Sequence, residues 1–379
     1  DLVWVQVPPP APSPRRGPVG SDACGEHLGE QPHADTSDCI ARPWPPARAA
    51  DLRWIDSFPR LGQDCAMPLQ PWIARQDVPL APLTSLRVGG PAAFFLEADH
   101  PAAIAEALTS ALDRGLPVLV LGGGSNLLCS DDGFAGLVVR YTASAVDPTL
   151  SDEPDGASAG SGEQIFRVEA GAALASLARR FANAGWAGLE WAEGIPGTVG
   201  GAIAGNAGAY GGDIAHCLVD VEVHTAGSGT AVLTNLECDF GYRRSVFQRT
   251  VAGAPAIILA GRFRLRKEDP ESLRHRIREI AAQRRSRTPA GLSCGSVFRN
   301  PPGASAGALI EAAGLKGATR GQAQISTQHA NYIINRGGAS AGDVMALIVA
   351  AREAVWRTTG IELQLEVRCV GWSPPPLLA

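Results

Sequence analysis

Residues 188–212 read GLEWAEGIPGTVGGAIAGNAGAYGG, and this stretch decides the fold. Roughly a third of its residues are glycine and almost none carry charge. Each Gly costs about 1 kcal/mol relative to Ala inside a helix, so the cluster is read as non-helical. Leu189, Trp191, Ile195, Val199, Ile203 and Tyr210 supply apolar anchors that disordered segments lack. The expectation is a packed loop with backbone at φ > 0, closely approached by a neighbour. Amides in such a loop cradle an anion such as a diphosphate. A phosphate-bearing cofactor is therefore expected, with a plain set of tight turns as the alternative.

The chain has 379 residues, enough for two or three domains. Its 45% hydrophobic and 19% charged content is that of a soluble globular protein. A net charge of −5 offers no basic footprint for nucleic acid. No apolar run reaches the ~18–20 residues needed to span a bilayer, so neither nucleic acid nor membrane is expected as a partner. The eight cysteines are scattered without CxxC or a zinc-like cluster, which argues against a disulfide framework and against a metal site. A reducing cytoplasm is the simplest setting.

Residues 1–66 are studded with Pro (PPPAPSP, RPWPP) and show no periodicity and no signal-peptide core. The first Met is Met67. It is expected to be the natural start, with residues 1–66 an upstream extension without a fold; a disordered partner-binding arm is the alternative.

From Thr84 the chain reads TSLRVGGPAAFFLEA, an extended run that turns at Gly89, Gly90 and Pro91 and continues as a strand through Phe94, Phe95 and Leu96. A helix is predicted to open at Pro101 and stop before Gly115. Then PVLVL forms a buried strand that feeds Gly122, Gly123, Gly124, Ser125 and Asn126. A strand running into a glycine loop suggests phosphate binding. Leu127 stands where a dinucleotide fingerprint needs its third Gly, so a Rossmann domain is rejected. Residues 143–162, rich in Ser, Gly and Asp, read as an exposed insertion. Beyond them come a strand at Phe166, a helix carrying Leu174, Leu177, Ala178 and Phe181, and three further strands.

Eight stretches now stand in one order: TSLRVGGPA, LGGGSNLL, the 188–212 stretch, FGYRRSVF, SCGSVFRNPPG, AGALIEAAGLKG, STQHANYIIN and IELQLEVRCVG. Together they resemble the UDP-N-acetylenolpyruvoylglucosamine reductases, in their compact subtype, of the PCMH/vanillyl-alcohol-oxidase-like flavoprotein superfamily. The resemblance implies an α+β fold: a two-part PCMH-type FAD-binding domain plus a C-terminal α+β substrate-binding domain. The implied parts are 67–141 (completed by 361–372), 142–266 and 267–360. It also implies non-covalent FAD, NADPH as hydride donor, a UDP-sugar substrate and a cytoplasmic monomer. The first glycine loop with Leu127 would hold FAD, together with Gly194, Ile195, Pro196, Gly197, Thr198, Gly200, Gly201, Asn206, Ala207 and Gly208.

Hydride addition to an enolpyruvyl group leaves negative charge on the neighbouring carbon and its carboxylate, so a proton donor and cationic partners are needed. By resemblance Ser296 is that donor, although its local sequence alone reads as a Gly-flanked turn. Arg243 matches the catalytic arginine, whose charged fork suits a carboxylate; strand alternation should point Arg244 the other way. Glu366 lies in IELQLEVRCV, where alternation sets Leu363, Leu365 and Val367 against Glu362, Gln364, Glu366 and Arg368. Alone this is an ordinary polar strand face; by resemblance Glu366 holds the enolate or relays a proton. Cys294, without a basic partner, is read as structural.

A helix is predicted from Asp269–Pro270, with a stripe of Leu273, Ile277 and Ile280 and the run QRRSRTP at its end. Arg284 and Arg287 resemble the basic pair beside the UDP diphosphate, and Tyr242, Asn300 and His329 match substrate-holding positions. Two departures are Gln322, where paired Gly is usual, and Arg287, where many relatives carry Lys. A last helix is predicted from the capping pattern Ser340–Asp343 to Gly360, with Val344, Leu347, Ile348, Ala351 and Val355 inward.

Overall fold

The computed structural model describes residues 74–149, 162–248 and 256–372. The expected extension and the suspected start at Met67 lie outside them. A first sheet has the order β1-β2-β5-β3, from β1 (Arg75–Pro79), β2 (Pro91–Ala98), β3 (Val118–Val120) and β5 (Phe134–Tyr141). β1 is antiparallel to β2, and the other pairs are parallel. Both faces of this sheet are covered, so β2 and β5 read as continuous apolar runs. Phe95 and Val138 enter one core with Leu80 and Leu121. Leu96, Leu137 and Val139 enter the larger core on the opposite face.

That larger core receives α1 (Pro101–Asp113), with Pro101 at its first turn and Gly115 at φ +63 just beyond its end. Ile104, Ala107, Leu108 and Ala111 recur at helical spacing and are all fully buried. A second sheet joins the same core. Its order is β12-β11-β13-β7-β6, from β6 (Val146–Thr149), β7 (Glu163–Glu169), β11 (Leu218–Thr225), β12 (Gly229–Thr234) and β13 (Ala256–Lys267), all antiparallel. A two-residue strand β8 (Trp186–Ala187) adds to β13. Part of the expected insertion is thus a strand: β6 pairs with β7 through Val146–Val168 and Thr149–Ile165, because its extended backbone completes that edge. Residues 150–161 of the insertion lie outside the described residues.

α2 (Leu174–Asn183) buries Leu174, Leu177, Ala178 and Phe181 at ~1.5–3 kcal/mol for each large side chain. It ends before Gly185 at φ +77. The glycine-rich stretch then departs from its reading as loop, because α3 spans Val199–Gly205. The propensity cost is offset by packing. Thr198 caps the helix, its Oγ1 accepting from Gly201 N at 3.4 Å, and Asn206 closes it at φ +41. Val199 and Ile203 are fully buried. A Cβ on Gly200 would lie 2.9 Å from Ala170 Cβ, so the glycine that weakens the helix also lets it lie flush on the end of β7. A small hairpin, β9 (Gly208–Ala209) and β10 (Gly212–Asp213), and the short α4 (Ile214–Cys217) return the chain to β11.

α5 (Pro270–Arg287) starts as predicted, with the Asp269 carboxylate accepting from Ser272 N at 2.8 Å. Of its expected stripe only Leu273 is fully buried, packing with Ala182 of α2 and Ala187 of β8. The remaining unit holds α6 (Ala306–Ala312), the sheet β14-β15-β16 (Thr319–Arg320, Ala323–Ile325, Ile333–Asn335) and α7 (Ala341–Thr359). Gln322 sits in a two-residue hairpin turn whose first position, Gly321 at φ +51, alone needs glycine, so the departure at Gln322 is accommodated. The predicted inward residues of α7 are all buried, and Ser340 and Asp343 form the capping box. Leu86, Val88 and Leu128 of the first part complete this unit's core.

The chain ends by returning: β17 (Arg368–Val370) pairs in parallel with β4 (Leu127–Cys129). The regular strand is confined to these three residues, shorter than the alternation of 361–370 predicts. Upstream of it, the segment pairs irregularly with 297–299 instead. No described helix is long and apolar enough to cross a membrane.

Candidate active site

The two glycine loops touch. Ser125 Oγ donates to Pro196 O at 3.1 Å. A Cβ on Gly123 would stand 2.7 Å from Gly197 Cα, and one on Gly197, at φ +113, would stand 2.8 Å from Ser125 Oγ. A Cβ on Gly122 would meet Thr198 Oγ1 at 2.7 Å. Glycine at these positions is therefore a condition of contact between the loops. The amides of Gly123, Gly124, Ser125, Gly197 and Thr198 have no acceptor among the described residues. Clustered unpaired N–H groups on glycine-rich backbone suit the oxygens of a diphosphate. The residues thus fit FAD at this cradle.

Other residues of the expected cofactor set are used by the fold. Leu127 is a core residue of β4, and Ile195 packs on the main core. Ala207 N bonds to Ala202 O, and Asn206 is buried with Oδ1 accepting from Ala215 N at 3.1 Å. Arg284, expected beside the substrate diphosphate, lies against the second loop: a Cβ on Gly194 would meet its Cδ at 2.7 Å. Glu193, buried just before Gly194, is held by Arg179 at 2.8 Å.

Arg243 does not lie on a strand. Gly241 and Arg244 exchange backbone hydrogen bonds around a tight turn, and Arg243 takes φ +53 within it. Strand alternation therefore does not set the direction of the two arginines; the turn does. Asn206 Nδ2 braces the turn at Gly241 O, 3.0 Å. Arg243 Nη2 donates to Gly208 O at 2.9 Å and Nε to Glu366 Oε1 at 2.8 Å, while Nη1 reaches Asn206 O at 3.4 Å. A guanidinium has five N–H donors, so two remain for a ligand. Tyr242, 62% exposed, lies with its ring centroid 5.7 Å from the Arg243 guanidinium carbon.

Glu366 is held from both sides. Its carbonyl accepts from Asn126 Nδ2 of the first glycine loop at 3.0 Å, and its amide donates to Val297 O at 2.8 Å. Burial pushes its carboxyl above the usual glutamate range, against the opposing pull of Arg243 and Arg299. Ser296 precedes Val297 and is bridged on its other side to Tyr332. Ser296, Glu366, Arg243 and the glycine loop are thus tied by short links. Cys294 is buried, and its thiol is pushed up to about 12 by that burial, which suits packing rather than nucleophilic chemistry.

The remaining expected residues are spread. Asn300 is exposed, and its Oδ1 accepts from Ala306 N at the start of α6. His329 is half-buried, accepts from Asn331 N at Nδ1 and is held below the usual histidine range by burial. Arg287 ends α5 in the open, where the neighbouring Ser286 O accepts from Gln328 Nε2 at 2.9 Å. Residue-by-residue reading missed Arg299, Arg368 and Ser85. Ser85 N donates to Gly124 O at 3.0 Å and its Oγ to Ser293 O at 2.6 Å, stitching the first loop to the Ser296 segment. The only sequence signal for Arg299 and Arg368 was a basic residue close to Ser296 or Glu366.

Comparison with known proteins sharpens this picture. Residues 92–235 match the family model described as "FAD binding domain", and residues 287–370 match that of "UDP-N-acetylenolpyruvoylglucosamine reductase, C-terminal domain". With the glycine cradle, this places the chain among flavin-dependent oxidoreductases of the PCMH-like class, with a two-part α+β FAD-binding domain. A UDP-N-acetylenolpyruvoylglucosamine reductase of Chloroflexus aggregans is 48% identical over 301 residues, 79% of this chain and 98% of that protein. One from Rubrobacter xylanophilus is 42% identical over 298 residues, 79% of this chain and 95% of that protein. The crystal structure of the reductase from Thermus caldophilus superposes with a TM-score of 0.64 at 34% identity, covering 78% of this chain and 99% of that one. The chain belongs to the UDP-N-acetylenolpyruvoylglucosamine reductase family.

Proposed function

We propose that this protein consumes NADPH to reduce UDP-N-acetylenolpyruvoylglucosamine to UDP-N-acetylmuramate, a step of peptidoglycan precursor synthesis in the cytoplasm. The observation that carries this reading is the Arg243–Glu366 pair, tied through Val297 to Ser296 and through Asn126 to the glycine cradle. Bound FAD supplies the hydride transfer.

The chain's own residues account for the rest. Unpaired loop amides hold a diphosphate. The two remaining Arg243 donors suit the substrate carboxylate and the charge that develops on it. Glu366 and the carbonyls of Asn206 and Gly208 hold that guanidinium in place, so little reorganisation is needed when charge appears. Ser296 donates the proton to the carbon beside the carboxylate. A hydroxyl is a weak acid, but an enolate-like carbon is a strong base, which narrows the mismatch. Tyr242, Arg287, Asn300 and His329 are assigned to the UDP-sugar side. Arg284, lying on Gly194, is assigned to the face where nucleotide diphosphates and the second loop meet.

Anaerobic stopped-flow absorbance tests the proposal. NADPH should bleach the flavin band, and the UDP-sugar should restore it. Bleaching without restoration would redirect the assignment to another oxidised substrate. Faster bleaching by NADH than by NADPH would overturn the choice of donor.

A further inference from the structure

We infer that Arg299 is a second cationic partner of Glu366, a positioning residue that acts on the reaction through that carboxylate. Its effect on turnover rests on the reductase reading; its coupling to Glu366 does not.

Backbone register sets the two residues side by side. Phe298 pairs antiparallel with Leu365, Arg299 N donates to Gln364 O at 2.8 Å, and Glu366 N donates to Val297 O at 2.8 Å. Residues on paired extended segments alternate between faces, so Val297 and Arg299 share a face with Gln364 and Glu366. Arg299 is then the diagonal neighbour of Glu366, a separation of roughly 7–8 Å that long side chains cover.

The charge of Arg299 is not neutralised by a carboxylate of its own. A buried guanidinium ordinarily pairs with a carboxylate through its fork. Arg299 Nε is buried without a hydrogen-bond partner, and the residue has no carboxylate within ion-pairing distance among the described residues. Its charge therefore acts on what surrounds it. Among the described residues Glu366 is a carboxylate that feels it, and the direction is toward ionisation.

The charged and titratable groups around Glu366 come from several elements. Arg243 approaches from the turn at 241–244, Arg299 from the segment after Ser296, and Arg368 stands two residues on, in β17. Cys294, on the segment before Ser296, feels the Glu366 charge. Arg368 is held down to about 10 by its burial and by Arg299, so these two guanidinium groups also share one neighbourhood. Arg243 and Arg299 both draw the Glu366 carboxyl toward ionisation, against the burial that raises it.

The test is the titration of Glu366 in the FAD-loaded protein, followed by infrared difference spectra between acidic and alkaline pH. The protonated-carboxyl band that disappears in Glu366→Gln identifies the group. Arg299→Met should raise the Glu366 midpoint measurably, the direction expected when a nearby positive charge is removed. Arg299→Lys, which keeps the charge, should leave the midpoint close to that of the parent. The pH profile of flavin recolouring by the UDP-sugar should move the same way, while bleaching by NADPH stays unchanged. An unmoved midpoint in Arg299→Met, with or without slower turnover, overturns the proposal. If that variant fails to retain FAD, Arg299→Gln is read by the same criterion. Absence of recolouring in the parent protein would sink the reductase reading alone, because the infrared midpoint needs no turnover.

Discussion

Arg243 and Glu366 lie 123 positions apart in the chain and meet through a 2.8 Å hydrogen bond from Nε to Oε1. Arg243 reaches this position from a left-handed backbone, φ +53, that costs a non-glycine residue of order 1–3 kcal/mol and persists only where its surroundings over-determine it. Here Asn206 braces the turn, Gln248 Nε2 donates to Arg243 O at 3.2 Å, and the guanidinium itself grips two carbonyls. Strain, bracing and ion pair converge on one side chain, and this convergence supports its place in the proposed site.

Arg243→Lys should retain FAD but lower turnover of the UDP-sugar by about 10²-fold, the usual cost of removing one preorganised donor. A single ammonium cannot both satisfy Glu366 and present two donors to a carboxylate. Steady-state kcat, normalised to flavin content, measures this; near-parental turnover would remove Arg243 from the mechanism.

Ser296→Ala should be bleached by NADPH at the parental rate and recoloured by the UDP-sugar about 10²–10⁴-fold more slowly, the range for loss of a general acid. The two phases of one stopped-flow trace separate these effects. Equal slowing of both phases would point to a packing defect.

The Glu366 carboxyl lies above its ordinary range in the fold, chiefly through burial. A raised acid binds its proton more tightly when folded, so its contribution to stability is fully present below the unfolded glutamate pKa of about 4.3 and fades as pH rises through the folded value. Glu366→Gln carries no such penalty. Its melting temperature relative to the parent should therefore rise between pH 4 and pH 8, whatever the offset from the lost Arg243 partner. A difference that falls over this interval would contradict the direction of the shift.

Gly123→Ala places a methyl where Gly197 Cα leaves only 2.7 Å. The loops must separate, and the variant should purify with much less FAD while its far-ultraviolet circular dichroism stays native. The ratio of flavin to protein absorbance is the readout, and a full complement of flavin would count against the cradle.

Asp131 ties the first part of the chain to α7, its carboxylate accepting from Ala341 N at 2.8 Å and Gly342 N at 2.9 Å. Asp131→Ala should cost about 1 kcal/mol, as loss of a helix cap does, and leave the bleaching rate intact. A thermal melt with a parallel NADPH reaction checks both halves.

Much of this architecture is legible in the sequence because it rests on local rules. Pro101 and Gly115 bracket α1, Ser340 and Asp343 cap α7, and the inward residues of both follow helical spacing. α3 is not legible in this way. Its glycines signal a loop to any local rule, and only the flat contact with Ala170 and the burial of Ile203 override that preference. The same limit applies to Arg243, which local alternation places on a strand when it is the left-handed corner of a turn. Its conformation depends on Asn206, thirty-seven positions upstream.

The sequence by itself determined the capped helices α1 and α7, the two glycine-rich stretches and the family, because spacing, capping and motif order are properties of neighbours along the chain. Only the tertiary structure decided which residues share a site. The Arg243–Glu366 pair, the meeting of Gly123 with Gly197, and the register that sets Arg299 diagonal to Glu366 each depend on segments brought together through space. Long-range packing sets those distances, and no local periodicity encodes them.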